Sequence, residues 1–314
     1  MAAVSPPSLA APDLPAPALP GDATAQRRGL ALVALAALIW STGGLIVRSL
    51  EVADVWTTVF WRSAFAALFL VAYIAWRERG RTFAAFRDMG RPGLVVALCF
   101  AGASICLVVA LNLTTVANTL VIFSTAPLFA ALFGRLWLGE PVRRQSWLAM
   151  LGAVCGVAIM VSDSFSRGSL AGDLFALGTA IGLAVATVTI RARRELRMTP
   201  ATCLGTILAA LVALPLATPL AVTGGDFGLL FVFGAGQLGL GLALFASGAR
   251  LAPAAEVALV AVLEPVLGPL WVWALLGEHP GGAGLLGGGL VLGALVLHSA
   301  LDLRRGRAVA PSPV

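Results

Sequence analysis

Lysine is absent from the 314 residues, so all 21 basic side chains are arginines. Charged residues make up only 11% of the chain, whereas an average soluble domain has about 25%. Hydrophobic residues make up 59%, and the mean hydropathy is +0.95. This composition excludes an ordinary soluble domain and predicts an all-α polytopic membrane protein.

Cysteine and histidine are scarce as well. The four cysteines lie singly in apolar runs, and the two histidines, His279 and His298, do not form a cluster with them. A disulfide framework or a metal site is therefore not expected. Gly-Lys-Ser and Gly-Lys-Thr are also absent, so an ATP-driven pump is not expected. We expect no metal and no cofactor.

Ten apolar runs are long enough to cross a bilayer as helices. Residues 1–26, rich in proline and alanine, are interpreted as a disordered tail, and residues 304–314 as a basic cytoplasmic tail. The predicted spans cover approximately residues 29–48, 55–76, 93–111, 115–138, 146–162, 170–190, 201–222, 227–249, 254–276 and 282–301.

The arginines are distributed unevenly between the gaps. Seventeen lie in one alternating set of gaps and tails, whereas only Arg48 and Arg167 lie in the other set. The positive-inside rule then predicts that both termini are cytoplasmic, in a bacterial-type inner membrane. Basic residues placed in this way follow membrane topology, so no nucleic-acid partner is expected.

An internal repeat organises the chain. A proline precedes a glutamate by 13 residues twice, as Pro127 before Gly139-Glu140 and as Pro265 before Gly277-Glu278. Five helices per copy is an odd number, so the second copy would be inverted in the membrane. We therefore predict two inverted five-helix repeats, residues 27–162 and 163–303, a construction typical of secondary transporters.

The repeat and its surroundings resemble a known family. The stretch Pro127 to Glu140 followed by Gln145-Ser146-Trp147-Leu148, and the run from Arg250-Leu251-Ala252-Pro253 into Glu264-Pro265, are similar to the EamA-type domains of the drug/metabolite transporter superfamily. The resemblance implies a transporter rather than an enzyme, with a cavity between two tandem EamA domains. It does not imply a particular substrate.

Two charged residues lie within predicted spans and are candidates for substrate binding or coupling. Glu264 lies about 15 Å into its helix, where a carboxylate is costly and a functional role is the default hypothesis. It could carry a proton, or it could only bond groups freed at Pro265. Arg62 could pair with a substrate carboxylate or with Glu264, or it could extend to the outer lipid headgroups.

Further candidates are polar groups at mid-span and prolines that interrupt helices. Trp40, Gln237, Asn118 and Thr125 could line the cavity or bond within the helix bundle. Helix breaks are expected at Pro127, Pro265 and Pro269, since proline cannot donate its backbone hydrogen bond. Structural roles at helix ends are expected for Glu140 and Glu278.

These observations predict a secondary transporter, with export the expected direction, of a small metabolite or amino-acid-like solute by alternating access. Coupling to protons through Glu264 and uncoupled facilitation both remain open. An intramembrane enzyme acting on lipid is the alternative from another class. The expected partners are the small-molecule substrate and the lipid bilayer, and the sequence leaves the oligomeric state open.

Overall fold

The computed structural model describes residues 20–52, 54–78, 82–139, 148–149, 151–159, 169–192, 198–249, 251, 257, 260–261, 263–279 and 281–308. Within these ranges the chain forms helices and no strands. The helices are α1 (Pro20–Ser41), α2 (Gly43–Ser49), α3 (Val55–Glu78), α4 (Thr82–Arg87), α5 (Gly90–Leu113), α6 (Val116–Phe123), α7 (Ala126–Leu138), α8 (Leu170–Ala192), α9 (Met198–Ala213), α10 (Gly224–Phe231), a π-helical segment (Val232–Leu240), α11 (Gly241–Gly248), α12 (Leu263–Leu276) and α13 (Gly282–Ala308).

Six helical stretches of the described chain are long and apolar enough to cross a membrane. Three shorter apolar helices accompany them, at Thr199–Ala213, Leu263–Leu276 and Gly282–Ala294. The protein is therefore an all-helical, multi-pass membrane protein. The six long stretches are Thr24–Ser49, Val55–Glu78, Gly90–Leu113, Val116–Leu138, Leu170–Ile190 and Gly224–Gly248.

Three boundaries differ from the sequence-based prediction. Helix α1 begins at Pro20, so residues 20–26 of the predicted tail are helical; proline is well suited to a first helical turn because its fixed φ is already helical. Helix α9 ends at Ala213 rather than near residue 222, where Pro215 cannot continue the helix. Helix α13 continues to Ala308, into the predicted basic tail.

Small residues allow the long helices to pack closely. Helix α8 lies along α5, and a Cβ added at Gly182 would lie 3.1 Å from the Cys99 carbonyl oxygen and 3.2 Å from the Ala103 side chain. Such contacts are typical of membrane helices, where backbone proximity replaces the hydrophobic effect as a driving force. The resulting bundle holds polar residues of α3, α5 and α8 at fixed positions inside the membrane.

Three of the spans are interrupted. The α1–α2 span changes at Thr42 and the α6–α7 span at Ser124 and Thr125, directly before Pro127 in the first turn of α7. The α10–α11 span contains the π-helical segment with its glycines. Interruptions of this kind free backbone groups and are frequent at functional sites of membrane helices.

Helices α7 and α12 end in the same way. Gly139 and Gly277 both follow the last helical residue with a left-handed backbone, at φ +67° and +70°, and each donates its N–H to a carbonyl four residues earlier. Glycine tolerates this conformation because it has no Cβ. The two copies of the sequence repeat therefore share their terminating turn.

Candidate functional site

A buried arginine lies at the centre of the bundle. Arg62 on α3 is 2% exposed and donates from Nη1 to the Ser104 hydroxyl on α5 at 2.8 Å. Its guanidinium lies over the Phe233 ring, 4.6 Å from the centroid, a favourable cation–π contact when water is excluded. Arg62 therefore does not extend to the lipid headgroups, which removes that alternative.

Part of the Arg62 hydrogen-bonding capacity is unused. Its Nε is buried and has no hydrogen-bond partner within the described part of the chain. A buried donor without a partner is costly, and the cost is larger for a charged group. The guanidinium is thus held in place by Ser104 and Phe233, and its Nε edge is left without a partner.

Glu264 on α12 is the opposite charge facing Arg62. The two groups are close enough for electrostatic attraction, but among the described residues they do not form a direct ion pair. Glu264 lies deep in the bundle and still keeps some accessible surface. A solute with both charges could contact both residues.

The interruption between α1 and α2 brings two further helices to this region. Gln237, in the π-helical segment, donates from Nε2 to the Trp40 carbonyl at 3.0 Å, and Trp271 on α12 donates from Nε1 to the Ser41 hydroxyl at 2.9 Å. Both acceptors lie at the end of α1, where the regular helical ladder stops. Side chains from the second half of the chain therefore satisfy polar groups of the first half.

Two polar atoms remain unpaired at this interruption. The Gln237 Oε1 and the Trp40 Nε1 are both buried without a hydrogen-bond partner in the described structure. One is an acceptor and the other a donor. Together with Arg62 and Glu264 they give the region both charges and both hydrogen-bonding polarities.

The other predicted site residues have different surroundings. Thr125 is buried and donates its hydroxyl to the Ile122 carbonyl of its own helix at 2.6 Å, the alternative given above for such hydroxyls. Asn118 contacts Asp173 on α8 at 3.4 Å. Pro265 is buried in the first turn of α12, and Pro269 lies inside that helix. In the described part of the chain, Arg62 bonds Ser104 rather than Thr125 or Asn118.

A second arginine–glutamate pair lies where several helices end. Arg48, in the last turn of α2, donates from Nε to Glu278 Oε2 at 2.7 Å and from Nη2 to the Thr114 carbonyl at 2.7 Å. The other Glu278 oxygen accepts the N–H of Val116 at 3.0 Å, at the positive N-terminal end of α6. Glu140 lies outside the described residues.

Four contributors to these regions were not identified from the sequence: Ser104, Phe233, Trp271 and Asp173. Ser104 and Phe233 matter only because they contact Arg62, and no local pattern marks such a contact. Asp173 is 1% exposed in the first turn of α8, and its only sequence signal was an acid at the start of an apolar run. The glycine-rich run around Gln237 is also visible in the sequence, and it coincides with the π-helical segment.

The fold and the buried charges indicate a general class of protein. An all-helical membrane protein with interrupted helices and buried charges facing each other between two halves has the construction that is typical of a membrane transporter. The EamA-like transporter family model matches residues 27–162 and 170–300. The chain belongs to the EamA-like transporter family, with two tandem domains.

Two similar proteins support this assignment. The pseudopaline exporter CntI of Pseudomonas aeruginosa (strain UCBPP-PA14) is 27% identical over 285 residues, covering 87% of this chain and 96% of that protein. A solved crystal structure is 22% identical with a TM-score of 0.64, covering 90% of this chain and 99% of that one. The exporter supports a transport function, whereas the crystal structure shows only that the fold is shared.

Proposed function

We propose that the chain is a secondary transporter that exports a small amino-acid-like metabolite across a bacterial-type inner membrane by alternating access. The observation that carries the proposal is the pair of buried charges at the centre. Arg62 belongs to the first EamA match and Glu264 to the second, and they attract each other without a direct bond. A solute bound between them would contact both halves.

The contacts around Glu278 support inverted halves. Helices α6–α7 and α12 carry equivalent copies of the repeat, and both copies end in a left-handed glycine. The carboxylate that follows α12 accepts the N–H at the start of α6. A contact between the end of one copy and the start of the equivalent copy is what we expect of two inverted five-helix halves in a ten-helix protein.

The proposed substrate carries a carboxylate and an amine. The unused edge of Arg62 suits a carboxylate, since a guanidinium offers donors in a planar fork. Glu264 suits a protonated amine, and the free atoms of Trp40 and Gln237 suit additional polar groups. The similarity to a pseudopaline exporter supports export as the direction.

Glu264 is the proposed site of proton coupling. A carboxylate inside the membrane can be neutralised by a proton or by a substrate amine, and competition between the two would couple their movements. Both termini are proposed to be cytoplasmic, from the arginine distribution. Without competition at Glu264 the protein would act as an uncoupled facilitator.

Counterflow in proteoliposomes tests the function. Purified protein is reconstituted and supplied with a panel of amino acids, amino-dicarboxylates, simple carboxylates and simple amines, with and without a pH gradient. We expect amino-carboxylates to exchange, and a pH gradient to drive their accumulation. Exchange without gradient-driven accumulation would support the facilitator.

Two results would contradict the proposal. Exchange of amines or carboxylates alone, with no preference for solutes that carry both groups, would contradict the substrate class. Chemical change of the vesicle lipid without solute movement would favour the intramembrane enzyme. Empty liposomes and the Arg62→Met protein serve as controls.

A further inference from the structure

Hydrogen bonds at the Arg48 end of the bundle join the two halves of the chain. Arg48, Thr114 and Val116 belong to the first EamA match, whereas Asp173 and Glu278 belong to the second. We call these five residues the Arg48 network. Each contact between the two groups of residues crosses from one half to the other, so the halves cannot separate at this end while the network is intact.

The network is centred on the junction between α5 and α6. Arg48 donates to the Thr114 carbonyl, while the Thr114 hydroxyl donates to Asp173 Oδ1 at 3.0 Å. A Cβ added at Gly172 would lie 2.7 Å from the Thr114 Cβ, so the start of α8 is pressed against this junction. The junction is thereby held by α2 on one side and by α8 on the other.

The ion pair in the network is weak enough to open. The Arg48 and Glu278 side chains are 28% and 23% exposed, so water can replace their mutual contact. Ion pairs that water can reach contribute little to stability, whereas breaking a fully buried pair leaves uncompensated charges. The Arg48–Glu278 contact can therefore form and break during a transport cycle, unlike the buried packing around Arg62.

Helix α12 connects this network to the central site. Glu264 lies in its first turn and Glu278 directly beyond its last turn, about 20 Å apart at 1.5 Å per residue. Between them Trp271 is bonded to Ser41 at the α1–α2 interruption, and α2 itself ends at Arg48. A movement of α12 would therefore change the Glu278 contacts and the Glu264–Arg62 separation together.

We propose that the Arg48 network is the gate that closes the transport pathway at this end, and that α12 couples the gate to the charges at the central site. The proposal rests on the proposed transport function, because a gate requires a pathway. In the closed state Glu278 is bound to Arg48 and to the Val116 N–H. In the open state both contacts are broken and the end of α12 moves away from α2 and α6, while Thr114 stays bonded to Asp173.

Labelling of a single cysteine tests the gate without measuring transport. Cys99, Cys106, Cys155 and Cys203 are replaced by alanine, and Thr42→Cys is introduced as a reporter at the interruption between the halves, because the Thr42 hydroxyl bonds the Ile39 carbonyl of the preceding helix and leaves the Trp271–Ser41 contact intact. A membrane-impermeant maleimide is added to oriented vesicles from the Arg48 side or from the opposite side. Labelling rates are compared for Glu278→Gln, Arg48→Met and the double variant.

We expect both single variants to raise the labelling rate from the Arg48 side by about fivefold. This is the shift in the closed–open equilibrium expected when one partly exposed ion pair is lost. The double variant should add little to either single variant, because one contact is removed in all three. Arg77→Gln is the matched control, since Arg77 is also near a helix end and its guanidinium contacts Tyr73 of the same helix. Unchanged labelling in the gate variants, or equal increases from both sides, would overturn the proposal.

A cross-link provides the opposite test. Cysteines at positions 48 and 278 are joined by a short, reducible bifunctional reagent in the same background, and reporter labelling from the Arg48 side should then fall below that of the unlinked protein. Recovery after reduction is expected. A cross-link that does not form, or that leaves labelling unchanged, would contradict the gate.

The two proposals can fail separately. If no solute is transported but the gate variants raise labelling from the Arg48 side, the opening movement at this end stands and the proposed transport function is wrong. If solutes are transported and labelling does not respond, the gate is wrong and the transport function stands.

Discussion

The protein uses arginine and glutamate in two regions with opposite results. At the Arg48 end, Arg48 and Glu278 meet directly at 2.7 Å, and the Arg48 Nη2 and the second Glu278 oxygen also have partners. At the centre, Arg62 and Glu264 attract each other without a direct bond, and the Arg62 Nε has no partner among the described residues. The same residue types therefore form a saturated contact in one place and an unsaturated site in the other.

The difference indicates where a ligand can bind. A saturated pair offers a solute nothing unless it first breaks, so it suits a connection between helices. An unsaturated pair between two halves gains hydrogen bonds when a solute enters, because the desolvation of Arg62 has already occurred on folding. Burial of Arg62 by Ser104 and Phe233 thus prepares the centre for binding.

The largest effect is expected at Arg62. Arg62→Met keeps the volume but removes the charge and leaves Glu264 without its opposite charge, so counterflow should fall by about 100-fold or more, as expected when one partner of a buried charged pair is removed. Initial rates of counterflow in proteoliposomes measure this. Arg62→Lys is the control and should retain part of the activity, because it keeps the charge without the planar fork.

A substantial remaining rate in Arg62→Met, with a monodisperse protein in gel filtration, would show that the centre is not the binding site. The unpaired charges at the centre would then not mark a ligand site, and the contrast with the Arg48 end would not concern function.

A more selective effect is expected at Glu264. Glu264→Gln keeps the shape and removes the exchangeable charge, so accumulation driven by a pH gradient should be lost while counterflow falls by less than about tenfold, roughly the worth of one charge-assisted hydrogen bond. Parallel uptake with and without the gradient separates the two activities. If the variant still accumulates substrate in response to the gradient, Glu264 is not the coupling residue.

A smaller, purely structural effect is expected at the Arg48 end. A double-mutant cycle with Arg48→Met and Glu278→Gln should give a coupling of about 1 kcal/mol in the free energy of unfolding, because water reaches both side chains. Denaturant titration in detergent measures the four proteins. The equivalent cycle with Arg62→Met and Glu264→Gln is the comparison, because these two residues form no direct ion pair in the described structure. A coupling near zero for Arg48 and Glu278 would show that the contact does not connect the helices.

An effect of similar size is expected at a helix start outside the membrane-spanning segments. Asp54 accepts the N–H groups of Trp56 and Thr57 at the start of α3 at 3.1 Å and 3.0 Å. Burial alone would raise its pKa, but hydrogen bonds from the Thr57 side chain and from the backbone hold the pKa below the ordinary value. Asp54→Ala should lower the free energy of unfolding by about 1 kcal/mol, as for other N-cap residues.

The sign of the pH dependence follows from the lowered pKa. The stabilisation from Asp54 is present above its unfolded pKa of about 4 and is lost as the pH falls through the lower folded value. Thermal unfolding at pH 7 and below pH 4 checks this, and the difference between wild type and Asp54→Ala should narrow in acid. Thr223→Ala, at the start of α10, is a non-titrating control whose effect should not vary with pH.

Much of the architecture could be predicted from residue order alone. Apolar run length identifies membrane helices because lipid cannot satisfy backbone polar groups, and this rule does not depend on neighbouring helices. The rule gave the wrong end for α9, because the apolar run continues beyond Ala213, where the helix stops. Proline and glycine indicated the α6–α7 interruption and the turns at Gly139 and Gly277, because their effects on the backbone are local.

The candidate site could be predicted only in part. Arg62 and Glu264 stand out because charges are rare in apolar runs, but their relation depends on how α3 and α12 pack. Thr125 and Gln237 have similar sequence contexts, yet Thr125 bonds its own helix and Gln237 reaches the carbonyl of Trp40. Nothing in the local sequence distinguishes these outcomes.

The class of protein, the repeat and the family could be predicted from the chain alone, since composition, run length and motif spacing do not depend on folding. The tertiary structure alone decided which Arg–Glu pair is joined and which is kept apart. The reason is physical: a side chain's partners and its access to water depend on residues far away in the chain, and the packing of α12 against the first half brings those residues together.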